Sequence, residues 1–316
     1  MTGPESGGLP ADAPGPVEAP VEAPVAAPRS TTREVVRALL QHKLALFGLV
    51  VLALLVLAAV LGGALAPYGE NDVSVVDRLQ PPSAAHPFGT DELGRDVLSR
   101  VVVAARISLV VSLVSVGIAL ALGVTLGLVA GYYGRWVDDV VMRLMDMLFA
   151  FPAILLAIAI LAVLGPGVVN VMIAIGIVYT PIFARITRAS VLTVREEVYV
   201  RAARSLGAGD LRLLRLHVLP NVLAPIIVQT SLSLAFAILS EAALSFLGLG
   251  VQPPDPSWGR MLLEGRGFVQ QAWWMGVFPG AAIFLTVLSF NVVGDALRDA
   301  LDPRQRSAME ARGKPA

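Results

Sequence analysis

Residues 201–221 read RAARSLGAGDLRLLRLHVLPN. Four arginines (Arg201, Arg204, Arg212 and Arg215), glycines at 207 and 209 and a closing Leu219-Pro220-Asn221 are packed into one short segment. The chain on either side is of another kind. Residues 147–184 carry no charge, and Glu241 is the only charge between His217 and Asp255. A basic, glycine-punctuated segment set between such runs must face a different solvent from its neighbours.

Composition says which solvents are involved. The 316 residues are 56% hydrophobic, 15% charged and have a mean hydropathy of +0.73. Soluble domains carry roughly 25% charged residues, so the chain reads as a membrane protein. There is no cysteine, which excludes disulfides, thiolate metal sites and a thiol nucleophile. The histidines, His42, His86 and His217, are scattered. Residues 1–34 are rich in Pro and Ala and hold too little apolar surface to offset ordering entropy, so they are expected to form a disordered tail.

A spanning helix needs about 20 apolar residues to cross ~30 Å of hydrocarbon. Leu44–Ala66 and Ile107–Gly131 meet that need as the first two spans. Gly165-Pro166-Gly167 divides the uncharged 147–184 run into a third and a fourth, with Pro152 as a kink inside the third. Asn221 to about Leu249 gives the fifth, and 276–294 the sixth. With both termini in the cytoplasm, 18 of the 24 Lys and Arg residues fall on the inner side, the asymmetry expected of inner loops. The expected organisation is a first span within 35–66, an extracytoplasmic segment at 67–106, a core domain at 107–297 and a cytoplasmic tail at 298–316. The basic segment then belongs to an inner loop at 185–221. Tyr132, Tyr133 and Trp136, and Trp273 and Trp274, flank spans where an interfacial aromatic belt is expected.

Within the spans, Ala119, Gly123, Gly127 and Gly131 recur every four residues and prepare one helix face for close backbone approach. Its partner could lie in this chain or in another. Asp139, Arg143 and Asp146 are spaced to pair along one helix face. Glu241 is expected near the outer interface, either as a translocation-pathway residue or as a cap on the break before Gly248 and Gly250. Asn291 reads as helix–helix glue. In GTDELGRD (89–96), Thr90, Asp91 and Glu92 fit a helix N-terminus better than a metal site. Neither Lys43 nor Lys314 sits in a phosphate-binding Gly-Lys-Ser/Thr loop, so any ATP must be hydrolysed elsewhere.

The inner loop can fold into two short helical pieces about Gly207 and Gly209, with Pro220 ending the second and setting up the fifth span. Apolar residues to bury and arginines to fix register make it a docking knob. This stretch resembles the EAA loop of ABC-importer permeases: Ala202, Ala203, Gly207, Leu219 and Pro220 match its spacing, with Arg201 at the Glu position and His217 at the Ile position. HPFGTDELGRDVLSRVVVAARISL (86–109), RWVDDVVMRLMDMLFAFP (135–152), SEAALSFLGLGVQPPDPSWGRML (240–262) and GDALRDALDPR (294–304) resemble the dipeptide/oligopeptide branch, second-subunit type.

The resemblance implies an all-α integral membrane protein with six transmembrane helices and the type I, MetI-like permease fold. It implies a cell-membrane subunit without catalytic residues, metal or cofactor of its own. ATP and Mg would sit on two separate ATPase subunits, docked on a coupling loop that includes Arg201, Ala202, Ala203, Gly207, Asp210, His217, Leu219 and Pro220. A homologous permease subunit would complete a heterodimer, an extracytoplasmic solute-binding protein would deliver di- or oligopeptides, and lipid would surround the spans. No nucleic acid is expected. The competing reading from the residues is an ion-gradient-driven secondary transporter with Glu241 as its ion site.

Overall fold

The computed structural model describes Gly3, residues 39–40 and residues 42–301. Apart from Gly3, the 1–34 tail lies outside the described residues, as do 302–316 of the C-terminal tail. The described residues form an all-helical bundle. Five of its helices are long and apolar enough to cross a membrane. They are α1 (Lys43–Leu65), α2 (Val97–Tyr133), α5 (Val168–Val194), α8 (Leu219–Phe246) and α10 (Trp274–Leu301).

The sixth span is a broken one. Helices α3 (Arg135–Phe149) and α4 (Ala153–Leu164) meet at a 91° bend and qualify only as a pair. Pro152 is thus a break between helices rather than a kink inside one. Proline disfavours helical backbone at the residue before it and removes a donor. The 12 residues of α4 reach about 18 Å, short of the hydrocarbon thickness.

Helix α2 begins ten residues before the uncharged run and takes Arg100 and Arg106 into its first turns. Capping overrides hydropathy here. The Asp96 carboxylate accepts from the Ser99 amide at 2.8 Å and from its hydroxyl at 2.7 Å. The helix start expected at Thr90–Glu92 is therefore displaced to Asp96. Asp91 instead closes a turn, accepting from the amides of Leu93 and Arg95 at 2.8 and 2.9 Å.

The glycine face of α2 finds its partner inside the chain. A Cβ on Gly127 would stand 2.5 Å from the Ala184 carbonyl oxygen, and one on Gly131 would stand 2.8 Å from Val191 Cβ. With Gly123 against Phe183, these contacts seat α2 on α5 along most of their length. Helix α1 packs outside, its Gly48 against Ser289 of α10 and its Gly62 against Val102 of α2. Asn291 donates to the Val287 carbonyl of its own helix at 3.0 Å, and among the described residues it makes no interhelical hydrogen bond.

Two apolar cores result. One joins α2, α4, α5, the 195–221 hairpin and much of α8 around Phe183, Val191, Val200, Leu213 and Leu244. The other lies where helix α9 (Trp258–Gly265) packs under the 67–96 segment around Trp258 and Trp274. The aromatic clusters divide accordingly. Tyr133, Trp136 and Trp273 are exposed, as interfacial residues would be. Tyr132 and Trp274 are buried and hydrogen-bonded, Trp274 Nε1 donating to the Thr90 carbonyl at 2.9 Å.

Candidate functional site

Residues 195–221 fold over one end of the bundle. Helix α6 (Val198–Ser205) ends at Gly207, whose φ of +85° is a left-handed conformation that suits glycine. The Gly207 amide bonds to the Arg204 carbonyl at 3.0 Å and the Ala208 amide to the Ala203 carbonyl at 3.1 Å. Helix α7 (Asp210–Leu213) follows and opens into a wide turn of π type over Leu214–Val218. That turn runs directly into α8. Pro220 thus starts α8 without stopping the preceding helix. The wider i→i+5 winding accommodates a residue that lacks an amide donor.

The hairpin has an inner and an outer side. Val200, Leu213 and Val218 are fully buried and join it to the core. Leu206 is 89% exposed, Val198 72% and Leu211 63%. Arg201, Ala202, Gly207 and Asp210 stand exposed among them, while Ala203 and Leu219 pack against the core. His217 is half-buried, its ring centroid 6.5 Å from that of Tyr199. The pattern singled out in the sequence is therefore one contiguous structure. Glu241 lies apart from it, far along α8.

Three contacts clamp the hairpin to the end of α2. The Tyr132 hydroxyl donates to Asp210 Oδ1 at 2.7 Å. The Arg204 guanidinium lies over the Tyr132 ring, 5.2 Å from its centroid, and hydrogen bonding to Tyr132 raises its pKa above the ordinary arginine range. Arg195 donates to the Gly131 carbonyl at 2.7 Å, satisfying one of the carbonyls a helix end leaves free. Nearby, burial raises the pKa of the Tyr199 phenol, and the Glu197 charge adds to the effect. Tyr132, Arg195 and the exposed Leu206 and Val198 are the members that motif reading misses. Their only signal in the sequence is position, next to a glycine or at a helix end.

Asp138 and Asp146 of α3 pair across to α5, and among the described residues no ion pair runs along α3. Arg188 grips Asp138 in two-pronged fashion at 2.5 and 2.6 Å, and Arg185 reaches Asp146 at 2.7 Å. A planar guanidinium facing a carboxylate makes two parallel bonds, which a flexible i,i+4 pair does not match. Asp138, not Asp139, thus anchors α3.

At the far end, Glu241 is fully buried. Its carboxylate accepts from Ser245 Oγ at 2.7 Å and Ser108 Oγ at 3.3 Å, and Ser257 is its third hydroxyl partner. Ser245 in turn accepts from the Val251 amide at 3.2 Å. The group joins α8, α2 and the start of α9. Beyond it, the carboxylates of Asp91, Glu92 and Glu264 come within 4.8 Å of one another. Three guanidiniums interleave them: Arg95 with Asp91 at 2.6 Å, Arg100 with Glu264 at 3.0 Å, and Arg260 with Glu264 at 2.9 Å. Matched charge makes this an ion-pair network holding α9 to the start of α2.

A bundle of apolar spans with a clamped, basic hairpin at one end and an ion-paired cap at the other is a multi-pass membrane protein. The chain belongs to the family of binding-protein-dependent transport system inner membrane components, whose model matches residues 123–307. The N-terminal TM domain of oligopeptide transport permease C matches residues 30–82. A dipeptide transport system permease protein of Alkalihalophilus pseudofirmus is 50% identical over 271 residues, which cover 86% of this chain and 89% of that one. A di/tripeptide transport system permease protein of Pseudomonas aeruginosa is 49% identical, covering 85% and 90%. A glutathione transport system permease protein of Pectobacterium atrosepticum is 47% identical, covering 86% and 90%. A chain from inward-facing structures of the MetNI methionine ABC transporter superposes with a TM-score of 0.51 at 17% identity. It covers 64% of this chain and 96% of that one, which establishes the MetI-like fold. The protein is thus an inner-membrane ABC transport permease.

Proposed function

We propose that the chain is one of two homologous permease subunits of an ATP-driven importer of di- or oligopeptides. Peptide arrives on an extracytoplasmic solute-binding protein and passes between the two permeases. Both termini and the 195–221 hairpin face the cytoplasm. Two ATPase subunits bind ATP and Mg and drive the cycle, one docking on this hairpin. The names of the relatives support the peptide class, and two of the three relatives described above are dipeptide or di/tripeptide permeases.

The observation that carries the docking assignment is the exposed apolar tip, Val198, Leu206 and Leu211, on a hairpin whose base is clamped to a span. A partner gripping Leu206 moves α6 and α7 together. Asp210 and Arg204 pass that movement to Tyr132, and hence to α2. Helix α2 has 37 residues, a rod of about 55 Å. Its other end bears Arg100 in the ion-paired cap. A push at the hairpin therefore tilts a rigid element that reaches the opposite face.

The test is affinity purification of the tagged chain from mild detergent. Recovery with a second permease and ATPase subunits is the expected result. Recovery alone in several detergents, with uptake abolished by protonophore, would replace this reading with a gradient-driven one.

A further inference from the structure

Two cavities open along one side of α5. The first, of about 370 Å³, lies in the elbow between α3 and α4 and includes Phe151, Tyr179 and Ile182. The second, of about 490 Å³, is lined by Ile186, Pro225, Val228, Gln229, Leu232 and Arg298. Ile182 and Ile186 are one helical turn apart and share a face, so the cavities follow each other along the same furrow. On α8 the lining positions 225, 228, 229 and 232 fall on one helix face. The Tyr179 hydroxyl and Ser240 Oγ, 3.1 Å apart, bridge the furrow farther from the hairpin.

The second cavity has a charged side chain in its lining, and the first has none. Arg298, exposed in the last turn of α10, lines it, and among the described residues it forms no ion pair. Gln229 lies on its α8 wall, where its amide nitrogen donates to Ser233 Oγ at 3.1 Å and its oxygen is left to accept. The cavity therefore offers one positive charge, one acceptor on its α8 wall and apolar surface between. Its volume falls in the range of small-ligand sites, roughly 300–1,000 Å³.

We propose that this cavity holds a translocating peptide at the hairpin end of the path, with Arg298 binding its terminal carboxylate. The proposal rests on the peptide reading given above. A guanidinium suits a carboxylate because it presents paired donors in one plane. The Gln229 oxygen on the α8 wall suits an amide or the ammonium of a short peptide. A lipid chain would leave that acceptor and the Arg298 charge unmatched.

The test places a photoreactive benzoylphenylalanine at Val228 in the complete, reconstituted complex and supplies a radiolabelled dipeptide with its binding protein. A second complex carries the probe at Val60, which is 75% exposed on α1, away from the furrow. Turnover should label position 228 with peptide and leave position 60 unlabelled. Arg298→Ala should reduce labelling at 228 at least fivefold, and Arg298→Lys should restore most of it. Peptide uptake without labelling at 228, lipid adducts in place of peptide, or labelling indifferent to Arg298→Ala would each overturn the site while leaving the peptide function standing. Absence of any peptide uptake by the unsubstituted complex would overturn that function and this site with it.

Discussion

The Tyr132 hydroxyl and the Asp210 carboxylate, 78 residues apart in sequence, meet at 2.7 Å where α2 ends and the hairpin begins. This bond links the proposed docking element to the longest helix of the bundle. Tyr132→Phe keeps the ring under Arg204 and removes only the bond. A hydrogen bond to a charged group contributes about 1.5–3 kcal/mol, too little to unfold the bundle and enough to loosen the clamp. In reconstituted complexes the variant should retain ATP hydrolysis but move several-fold less peptide per ATP. An unchanged ratio would show that the movement travels by Arg195 and Gly131 instead.

The glycine face of α2 yields a packing prediction. At Gly127 a side chain would meet the Ala184 carbonyl and Thr187 Cβ at 2.5 and 2.7 Å. Overpacking costs typically about 1–3 kcal/mol, and two backbones in contact have little room to relax. Gly127→Val should lower the melting temperature in detergent and the yield of membrane-inserted protein. Gly117→Ala is the control, because a Cβ added there would meet nothing within 4 Å. Removing that helical glycine should be neutral or stabilise by up to about 1 kcal/mol. Equal behaviour of the two variants would discount the α2–α5 seam.

Much of this architecture is legible in the residues. Charge-free runs locate the spans because hydrocarbon tolerates few exceptions, and the Ala202-Ala203-Gly207 spacing locates the hairpin. Hydropathy fails where charge is neutralised within the fold. Arg100 lies inside a helix because Glu264, distant in sequence, answers it, and no local pattern announces that. The bend at Pro152 is visible as a proline but not as a 91° break, since a proline removes a helical donor without setting the angle at which the next helix leaves. Tyr132 looks like an interfacial anchor because its true partner, Asp210, comes from another element.

The ion-paired cap predicts an acid-sensitive effect at Glu92. Burial raises the pKa of this carboxyl above its ordinary value, and the charge of Asp91 raises it further. One of its oxygens, Oε2, is buried without a partner. A folded-state pKa above the unfolded one means that the native protein takes up this proton first as pH falls. The charged form therefore costs stability at neutral pH, and the cost fades as pH falls through the folded-state pKa. Glu92→Gln should melt at a higher temperature than the parent at pH 7. The gap should shrink as pH is lowered toward the ordinary carboxylate range. A variant less stable than the parent at pH 7 would mean that the pair with Arg95 outweighs burial.

The cap also contains a pair whose loss should be severe. Glu264 accepts from Arg95, Arg100 and Arg260, and Arg100 is 1% exposed. Removing one partner of a buried pair strands the other charge and costs about 3–5 kcal/mol. Glu264→Ala should therefore deplete folded protein in the membrane, whereas Arg260→Ala should be tolerated because Glu264 keeps two other cations. Similar losses in both variants would mean that α9 is held by Trp258 packing and not by charge.

Glu241 tests whether a buried acid in a span transports or fastens. Its three serine partners lie on α2, on α8 itself and just ahead of α9, so its carboxylate closes the joint between span and cap. Glu241→Ala leaves those hydroxyls facing a void. It should lower thermal stability and the amount of assembled complex together. Glu241→Gln keeps the reach and one acceptor, so it should fall between parent and alanine variant in stability. Peptide uptake, divided by the quantity of assembled complex, should then be the same for Glu241→Gln as for the parent. A fully assembled Gln variant that moves several-fold less peptide would assign Glu241 to the translocation path, because a fastener has no reason to alter turnover once the complex is built.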